Sequence, residues 1–93
     1  MRKRHRHRIH YERAPDGTLP VTALHVGEAG YVRDLRLHDH ALVQKLLTLG
    51  VTPGSRVKVI QRFPTYVLQI GYTQIAIDHH LAYAIRVQPD TES

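Results

Sequence analysis

The sequence predicts a small, mainly β barrel that carries one α-helix and a short helical turn near its carboxyl end. Three observations support this prediction. The 93 residues are enough for a single domain only. Short segments with alternating apolar side chains follow one another between residues 56 and 88, and one amphipathic stretch precedes them. Short antiparallel strands in so small a body favour a barrel, because closure hides strand edges.

The basic character of the chain is concentrated at its amino end. Residues 1–13 hold six basic side chains and one acidic one, whereas residues 14–93 hold seven of each sign. The first twenty residues also contain a turn-prone Ala-Pro-Asp-Gly stretch and too few apolar side chains to offset the cost of ordering. We therefore expect a disordered basic arm over 1–20, a folded domain over 21–89 and a tail over 90–93.

Several classes of protein are excluded by composition. Because the chain has no cysteine, disulfides, thiol nucleophiles and thiolate metal sites are ruled out. No apolar run approaches the roughly 18–20 residues of a membrane span. The basic arm is not followed by the apolar stretch of a secretory signal. The lack of cysteine, which leaves apolar packing alone to hold the small body together, points to an intracellular domain.

The segments before the helix are short. Residues 21–24 are expected to be extended, and residues 27–30 are expected to form a turn. The β-rich run 31–37 is expected to form a strand.

The helix is predicted over residues 39–49. Asp39 is a suitable N-cap, since its carboxylate can accept from the first N–H groups of the helix. Gly50 follows as the expected left-handed residue after the helix, and Pro53 and Gly54 occupy the central positions of a type II turn. The apolar stripe of the helix consists of Leu42, Val43, Leu46, Leu47 and Leu49.

Four strands are predicted after the helix, over residues 56–62, 66–70, 74–77 and 85–88. Gly71 and Tyr72 form the expected tight connection between the second and third of these. Asp78 is expected to cap a single helical turn that ends at Tyr83.

The motifs of the chain resemble those of the FeoA family and of the related carboxy-terminal domain of iron-dependent repressors. The resemblance covers residues 22–88 and rests on Leu-x-x-Gly at 24–27, Lys-Leu-Leu-Thr-Leu-Gly-Val-Thr-Pro-Gly-Ser at 45–55, and the closing segment 75–87. Two stretches depart from the family pattern: residues 63–66 are shorter than usual, and the closing turn lacks the frequent Leu-Arg-x-x-Glu-Ala. The motif residues assigned a structural role are Leu46, Leu49, Gly50, Pro53 and Gly54.

The resemblance implies an SH3-like barrel and a function. Members of the family are cytoplasmic accessories that bind FeoB, a membrane GTPase that transports ferrous iron, and modulate it. On this basis we expect a FeoB-type partner, contacted through a surface next to the helix and the Arg62–Tyr66 loop. The predicted contact residues are Arg62, Phe63, Pro64 and Tyr66.

The basic arm is compatible with three roles: a solvated tail, attachment to an anionic membrane surface, or neutralisation of nucleic-acid phosphates. Arg56, Lys58 and Arg62 share one strand face near Phe63 and Tyr66, which keeps a nucleic-acid-binding barrel as an alternative function. The electrically balanced body argues against it.

Histidine is abundant, with eight copies, and imidazole binds transition metals. His79 and His80 are the candidate ligands in the body, where a metal-sensing module is a further alternative. His5, His7 and His10 could give weak transition-metal binding in the arm. No ligand set with a recognised metal spacing is present, so no cofactor is implied.

Catalytic groups are not assembled by any motif. The serines fall in a turn and at the terminus, the carboxylates suit helix caps and strand surfaces, and the Gly-Lys-Ser/Thr of a phosphate loop is missing. The sequence therefore predicts a binding protein and not an enzyme.

Overall fold

The computed structural model describes residues 16–90, and six antiparallel strands form one sheet in the order β1-β6-β2-β3-β4-β5. Two helices and one 3₁₀ turn, Val21–Ala23, complete the fold. The prediction of a mainly β domain with one main helix and a short second helix is confirmed. The strands are β1 (Leu19–Pro20), β2 (Ala29–Leu35), β3 (Arg56–Gln61), β4 (Tyr66–Ile70), β5 (Thr73–Ile77) and β6 (Ile85–Pro89), and the helices are α1 (His40–Thr48) and α2 (His79–Ala84).

Helix α1 begins and ends where its capping residues predict. The Asp39 carboxylate accepts from the backbone N–H groups of Ala41 and Leu42 at 2.9 and 3.3 Å. Gly50, just beyond the helix, has a φ of 100°, which is a conformation that residues with a Cβ avoid. Of the apolar stripe, Leu46 is buried, whereas Leu42 and Leu49 are partly buried against the core.

The core is built from side chains that alternate along the strands. In β3, Val57 and Val59 are completely buried while Lys58 between them is exposed. On the neighbouring strands β4 and β5, Leu68 and Ile75 are buried beside them. The period of two in the sequence therefore indicated the inner face of this part of the sheet correctly.

Two irregularities bend the sheet. The pairing of β2 with β6 shifts register between Val32 and Asp34, and the pairing of β3 with β4 shifts between Val59 and Gln61. Bulges of this kind increase the local twist of a strand. Among residues 16–90 the curved sheet still ends at β1 and at β5, which each pair on one side only, so within these residues the closure that the sequence predicted to hide the edges is incomplete.

The segments before α1 differ from the prediction. Residues 21–23 form a 3₁₀ turn and not an extended piece, because the N–H of Leu24 bonds to the carbonyl of Val21 at 3.1 Å and both side chains reach the core. Ala29 and Gly30 belong to β2 and not to a turn, and β2 ends at Leu35. The physical reason for Gly30 is the close approach of β6.

The sheet begins inside the segment that was expected to be an arm. Thr18 and Leu19 are each 2% exposed, and β1 pairs with β6. The basic cluster of 1–13 and residues 91–93 lie outside the described residues. Within 16–90, neither helix has the length and apolarity needed to cross a bilayer.

Candidate partner-binding surface

The loop between β3 and β4 presents an aromatic side chain to solvent. Phe63 is 85% exposed and is followed by a cis peptide bond to Pro64. Beside it, Nη2 of Arg62 donates to the carbonyl oxygen of Thr22 at 3.1 Å. Nε2 of Gln61 donates across the loop to the carbonyl oxygen of Thr65 at 2.9 Å. These two hydrogen bonds hold the loop on both sides of the exposed ring.

Tyr66 does not share this surface, although the sequence placed it there with Arg62, Phe63 and Pro64. Its side chain is 6% exposed and belongs to the core. The cause is the alternation of β4, which turns Tyr66 and Leu68 to the inner face of the sheet. The Tyr66 ring lies 5.9 Å from the ring of His79 at an interplanar angle of 54°. The candidate contact surface is therefore reduced to Arg62, Phe63 and Pro64, which we call the Phe63 loop.

The residues of the family motif occupy positions that form the helix end and the following turn. Leu46 is 1% exposed, and Leu49 packs on the core. Gly54 has a φ of 93°, and the N–H of Ser55 donates to the carbonyl of Thr52 at 2.9 Å, as in a type II turn with Pro53 before the glycine. These positions support the fold.

Helix α1 leaves part of its apolar stripe incompletely covered. Val43 and Leu47, four residues apart on one side of the helix, are only half-buried. These two side chains form a narrow apolar strip along the helix. The strip is the accessible part of the surface that the sequence predicted beside the helix.

His79 and His80 open helix α2 and are both exposed. Asp78 caps this helix, because its carboxylate accepts from the N–H of Leu81 at 2.8 Å. In the part of the chain that the structure describes, no three or more His, Cys, Asp or Glu side chains are grouped to hold a metal ion. The assignment of His79 and His80 as ligands stays a prediction, and the arm histidines lie outside the described residues.

The basic strand face predicted for nucleic acid is divided by local contacts. Nε of Arg56 forms a 2.9 Å ion pair with Asp90, and Arg62 donates to Thr22. Lys58 remains an exposed cation between them. Because Tyr66 is buried, it cannot stack on a base from this face.

Exposed tyrosines are a feature that the sequence did not reveal. Tyr31, Tyr72 and Tyr83 are 40%, 105% and 58% exposed. Tyr72 lies in the two-residue connection between β4 and β5. A turn position next to a glycine was the available signal, since such a side chain has no neighbouring strand to cover it.

A buried cation near the start of the sheet was also missed. Arg86 is 8% exposed and donates to the hydroxyl and the carbonyl oxygen of Thr18 at 3.3 and 3.1 Å. The same hydroxyl and the N–H of Thr18 donate to Asp16. Hydrogen bonds from Thr18, chiefly that from its hydroxyl, lower the pKa of Asp16 below its ordinary value, and Arg36 and Arg86 add an electrostatic contribution. Arg86 lies on β6 between Ile85 and Val87, which belong to the core, and its own burial coincides with these contacts to Thr18.

A six-stranded antiparallel sheet, with a helix between its second and third strands and a short helix before its last, defines the class of small SH3-like barrels. Within that class, the family model described as the FeoA domain matches residues 19–89. The chain belongs to the FeoA family.

Individual relatives agree with this assignment. The chain is 40% identical over 47 residues to "Putative Fe(2+) transport protein A" of Leptolyngbya boryana, a match that covers 50% of this chain and 57% of the relative. The crystal structure of an iron uptake regulatory protein, FeoA, has a TM-score of 0.70 at 28% identity, over 77% of this chain and 96% of that one. Stenotrophomonas maltophilia FeoA complexed with zinc, described as a procaryotic SH3 domain protein, has a TM-score of 0.64 at 22% identity, over 75% and 87%.

Proposed function

We propose that this protein is a cytoplasmic accessory of ferrous iron transport that binds the cytoplasmic region of a FeoB-type membrane GTPase transporter and modulates it. Membership of the FeoA family supports a role in iron transport, as does the likeness to an Fe(2+) transport protein A. The chain covers a little over half of that relative's length, 57%. The observation that carries the proposal is the 85% exposure of Phe63 on a loop held by two hydrogen bonds.

An exposed aromatic ring on a held loop is suited to protein recognition. Aromatic side chains and arginine dominate the energetics of protein interfaces, because they bury large areas at a small cost in side-chain entropy. The hydrogen bond from Arg62 to Thr22 fixes one side of the loop before a partner arrives. A loop that is already ordered loses less conformational entropy on binding. Phe63 is thus the expected anchor of the contact.

Binding of this kind can modulate a transporter without chemistry in the accessory itself. A rigid domain shifts the conformational equilibrium of its partner when it has different affinities for the two states of that partner. The barrel supplies the rigid body, and the Phe63 loop supplies the contact. Whether transport rises or falls depends on which state of the transporter binds more tightly.

The decisive experiment compares the wild-type chain with Phe63→Ser in binding to the purified cytoplasmic region of the transporter. We expect the substitution to weaken binding by roughly tenfold or more, as for an aromatic anchor, and to reduce the effect of the protein on iron uptake. Tyr31→Ser is the matched control, because Tyr31 is also an exposed aromatic residue but lies on β2, outside the Phe63 loop. Equal binding by wild type and Phe63→Ser would remove the loop from the contact, and absence of any binding or uptake effect would reject the proposal.

The nucleic-acid alternative has a separate outcome. RNA titrated at two salt concentrations tests it, with a variant that lacks residues 1–13 as the comparison. Binding lost with the arm is nonspecific attraction to its charge, which agrees with our proposal. Binding that persists without the arm would favour the alternative. The burial of Tyr66, which takes a stacking ring away from the basic face, is the reason we favour the transporter.

A further inference from the structure

The two outer strands of the sheet differ in how they are protected against pairing with another chain. Strand β1 has two residues and ends in a proline, and both features prevent extension of a sheet. Strand β5 has five residues, carries no charge and no proline, and pairs with β4 without a register shift. By the rules that protect natural sheet edges, β1 is blocked and β5 is open.

The hydrogen-bond phase of the hairpin shows which backbone groups of β5 point away from the sheet. Ile70 and Thr73 close a two-residue connection, so they form a hydrogen-bonded pair, and bonded pairs then recur at every second position. The bonds of β3, on the other side of β4, agree with this alternation. The N–H of Val59 donates to the carbonyl of Glu28, and the carbonyl of Val59 accepts from Gly27, so Val59 bonds towards β2. Its neighbour Lys58 therefore bonds towards β4, where it pairs with Gln69. The N–H and C=O groups of Gln74 and Ala76 are consequently directed outward from β5.

We propose that the outer edge of β5 is a self-association site, on which β5 of a second copy of this chain pairs antiparallel to form a symmetric dimer. A two-fold axis beside Ile75 places Gln74 of one copy opposite Ala76 of the other. That register lets both outward N–H groups and both outward C=O groups of each copy bond across the axis. The inference goes beyond the proposed function and does not depend on it.

Charge favours a second copy as the occupant. In a symmetric dimer, any net charge on the strand is present on both copies. The two like charges then lie close together near the axis and repel each other. The segment from Gly71 to Ile77 has no ionisable acid or base apart from the Tyr72 phenol. On the exposed face, Gln74 already bonds through Nε2 to Oε1 of Gln69 at 3.3 Å, so the side chains beside the edge are neutral and polar.

The same register brings Tyr72, the most exposed aromatic residue among the described residues, to the dimer interface. When Gln74 faces Ala76, Tyr72 falls opposite Asp78 of the second copy, at the start of its helix α2. Tyr72 is 105% exposed in the single chain. Contact with the second copy would cover part of this ring, which adds apolar area to the four backbone hydrogen bonds that two edge residues in each copy provide.

The interface is small, so the dimer is expected to be concentration-dependent. Contacts formed by one five-residue strand and one tyrosine fall below the area of stable complexes. Light scattering on the isolated full chain should therefore show a mass that rises from the 10.7 kDa of one chain towards twice that value, with half-conversion at or below about 1 mM.

The sharpest variant is Ala76→Pro. It removes an outward N–H that makes no bond to β4, and its side chain projects to the exposed face, so the hairpin keeps its internal bonds. Ala76→Val is the matched control, because it keeps the N–H and favours strand structure. We expect Ala76→Pro to weaken dimerisation by about tenfold or more, the effect of losing both symmetry-related bonds, and Ala76→Val to dimerise at least as well as wild type.

The folding of the variants and the location of the dimer interface are checked separately. Circular dichroism and thermal unfolding at a concentration where wild type is monomeric should show that Ala76→Pro is folded. Should it unfold, Gln74→Lys replaces it, since two added cations near the axis repel each other. Tyr72→Ser should also weaken the dimer, whereas Tyr31→Ser on β2 should not. A wild-type mass that stays at one chain up to about 1 mM, or a dimer that folded edge variants leave unchanged, would overturn the proposal.

Discussion

The guanidinium of Arg86 donates to Thr18, sixty-eight positions earlier in the chain, through both the hydroxyl and the backbone carbonyl oxygen. Arg86 lies on β6, and Thr18 directly precedes β1. Both residues are almost completely buried, at 8% and 2% exposure. The contact therefore fastens the first described residues of the fold to its last strand.

Thr18→Val tests this fastening. The substitution keeps the shape of the side chain but removes the hydroxyl that accepts from Arg86 and donates to Asp16. Because a buried charged donor loses a partner, we expect the free energy of unfolding to fall by about 1–3 kcal/mol. Urea denaturation measures the change. Thr48→Val, on the exposed side of α1, is the control and should alter stability by no more than about 0.5 kcal/mol; equal effects at the two positions would contradict the assignment.

Asp16 should make stability depend on acid pH. Its pKa is lowered in the folded state, first by the hydroxyl of Thr18 and then by the N–H of the same residue. A lowered pKa contributes stability that is present above the unfolded value of about 3.9 and is lost as pH falls through the folded value.

The measurement compares wild type with Asp16→Asn in urea denaturation at several values of pH. Other carboxylates also titrate in acid, so the informative quantity is the difference between the two proteins. We expect that difference to be constant near neutral pH and to shrink below about pH 4. Curves that remain parallel down to pH 2 would show that Asp16 contributes no pH-dependent stability.

Asp39 should contribute to stability as the N-cap of α1. Asp39→Ala leaves the N–H groups of Ala41 and Leu42 without the carboxylate, and we expect a loss of about 1 kcal/mol in the free energy of unfolding. Asp39→Asn is the matched control, since asparagine caps helices about as well as aspartate. Thermal or urea unfolding distinguishes the two. If asparagine costs as much as alanine, the contribution comes from the charge of Asp39 and not from its capping bonds.

The sequence predicted those elements whose cause is local. The Asp39 cap and the left-handed Gly50 define α1 through neighbours only a few residues away, and the alternation of Val57 and Val59 defines the inner face of β3. The family motifs were likewise short continuous stretches, the main one at 45–55, and they led to the correct family.

What the sequence did not predict depends on contacts between distant residues. Tyr66 was assigned to the surface with Phe63 because the two are close in sequence, but the strand turns Tyr66 into the core. Arg86 was not identified as buried, because its cover is Thr18 at the other end of the chain. No short window of sequence contains either relationship.

Gly30 is the clearest test of such a distant contact. The sequence suggested a turn, yet Gly30 lies in β2, and a Cβ at this position would come within 2.9 Å of the carbonyl oxygen of Gln88 and 3.1 Å of the Cβ of Val87. The backbone of β6 cannot move without breaking its pairing with β2. We expect Gly30→Ala to lower the free energy of unfolding by about 2–3 kcal/mol. Gly54→Ala provides the comparison, because a Cβ there meets no atom within 4 Å and only the φ of 93° is unfavourable, a cost of about 1 kcal/mol. Urea denaturation of the two variants should rank Gly30→Ala as the more damaging; the reverse order would mean that β6 yields to the added methyl group, and that the close packing of β2 on β6 is not what requires glycine at this position.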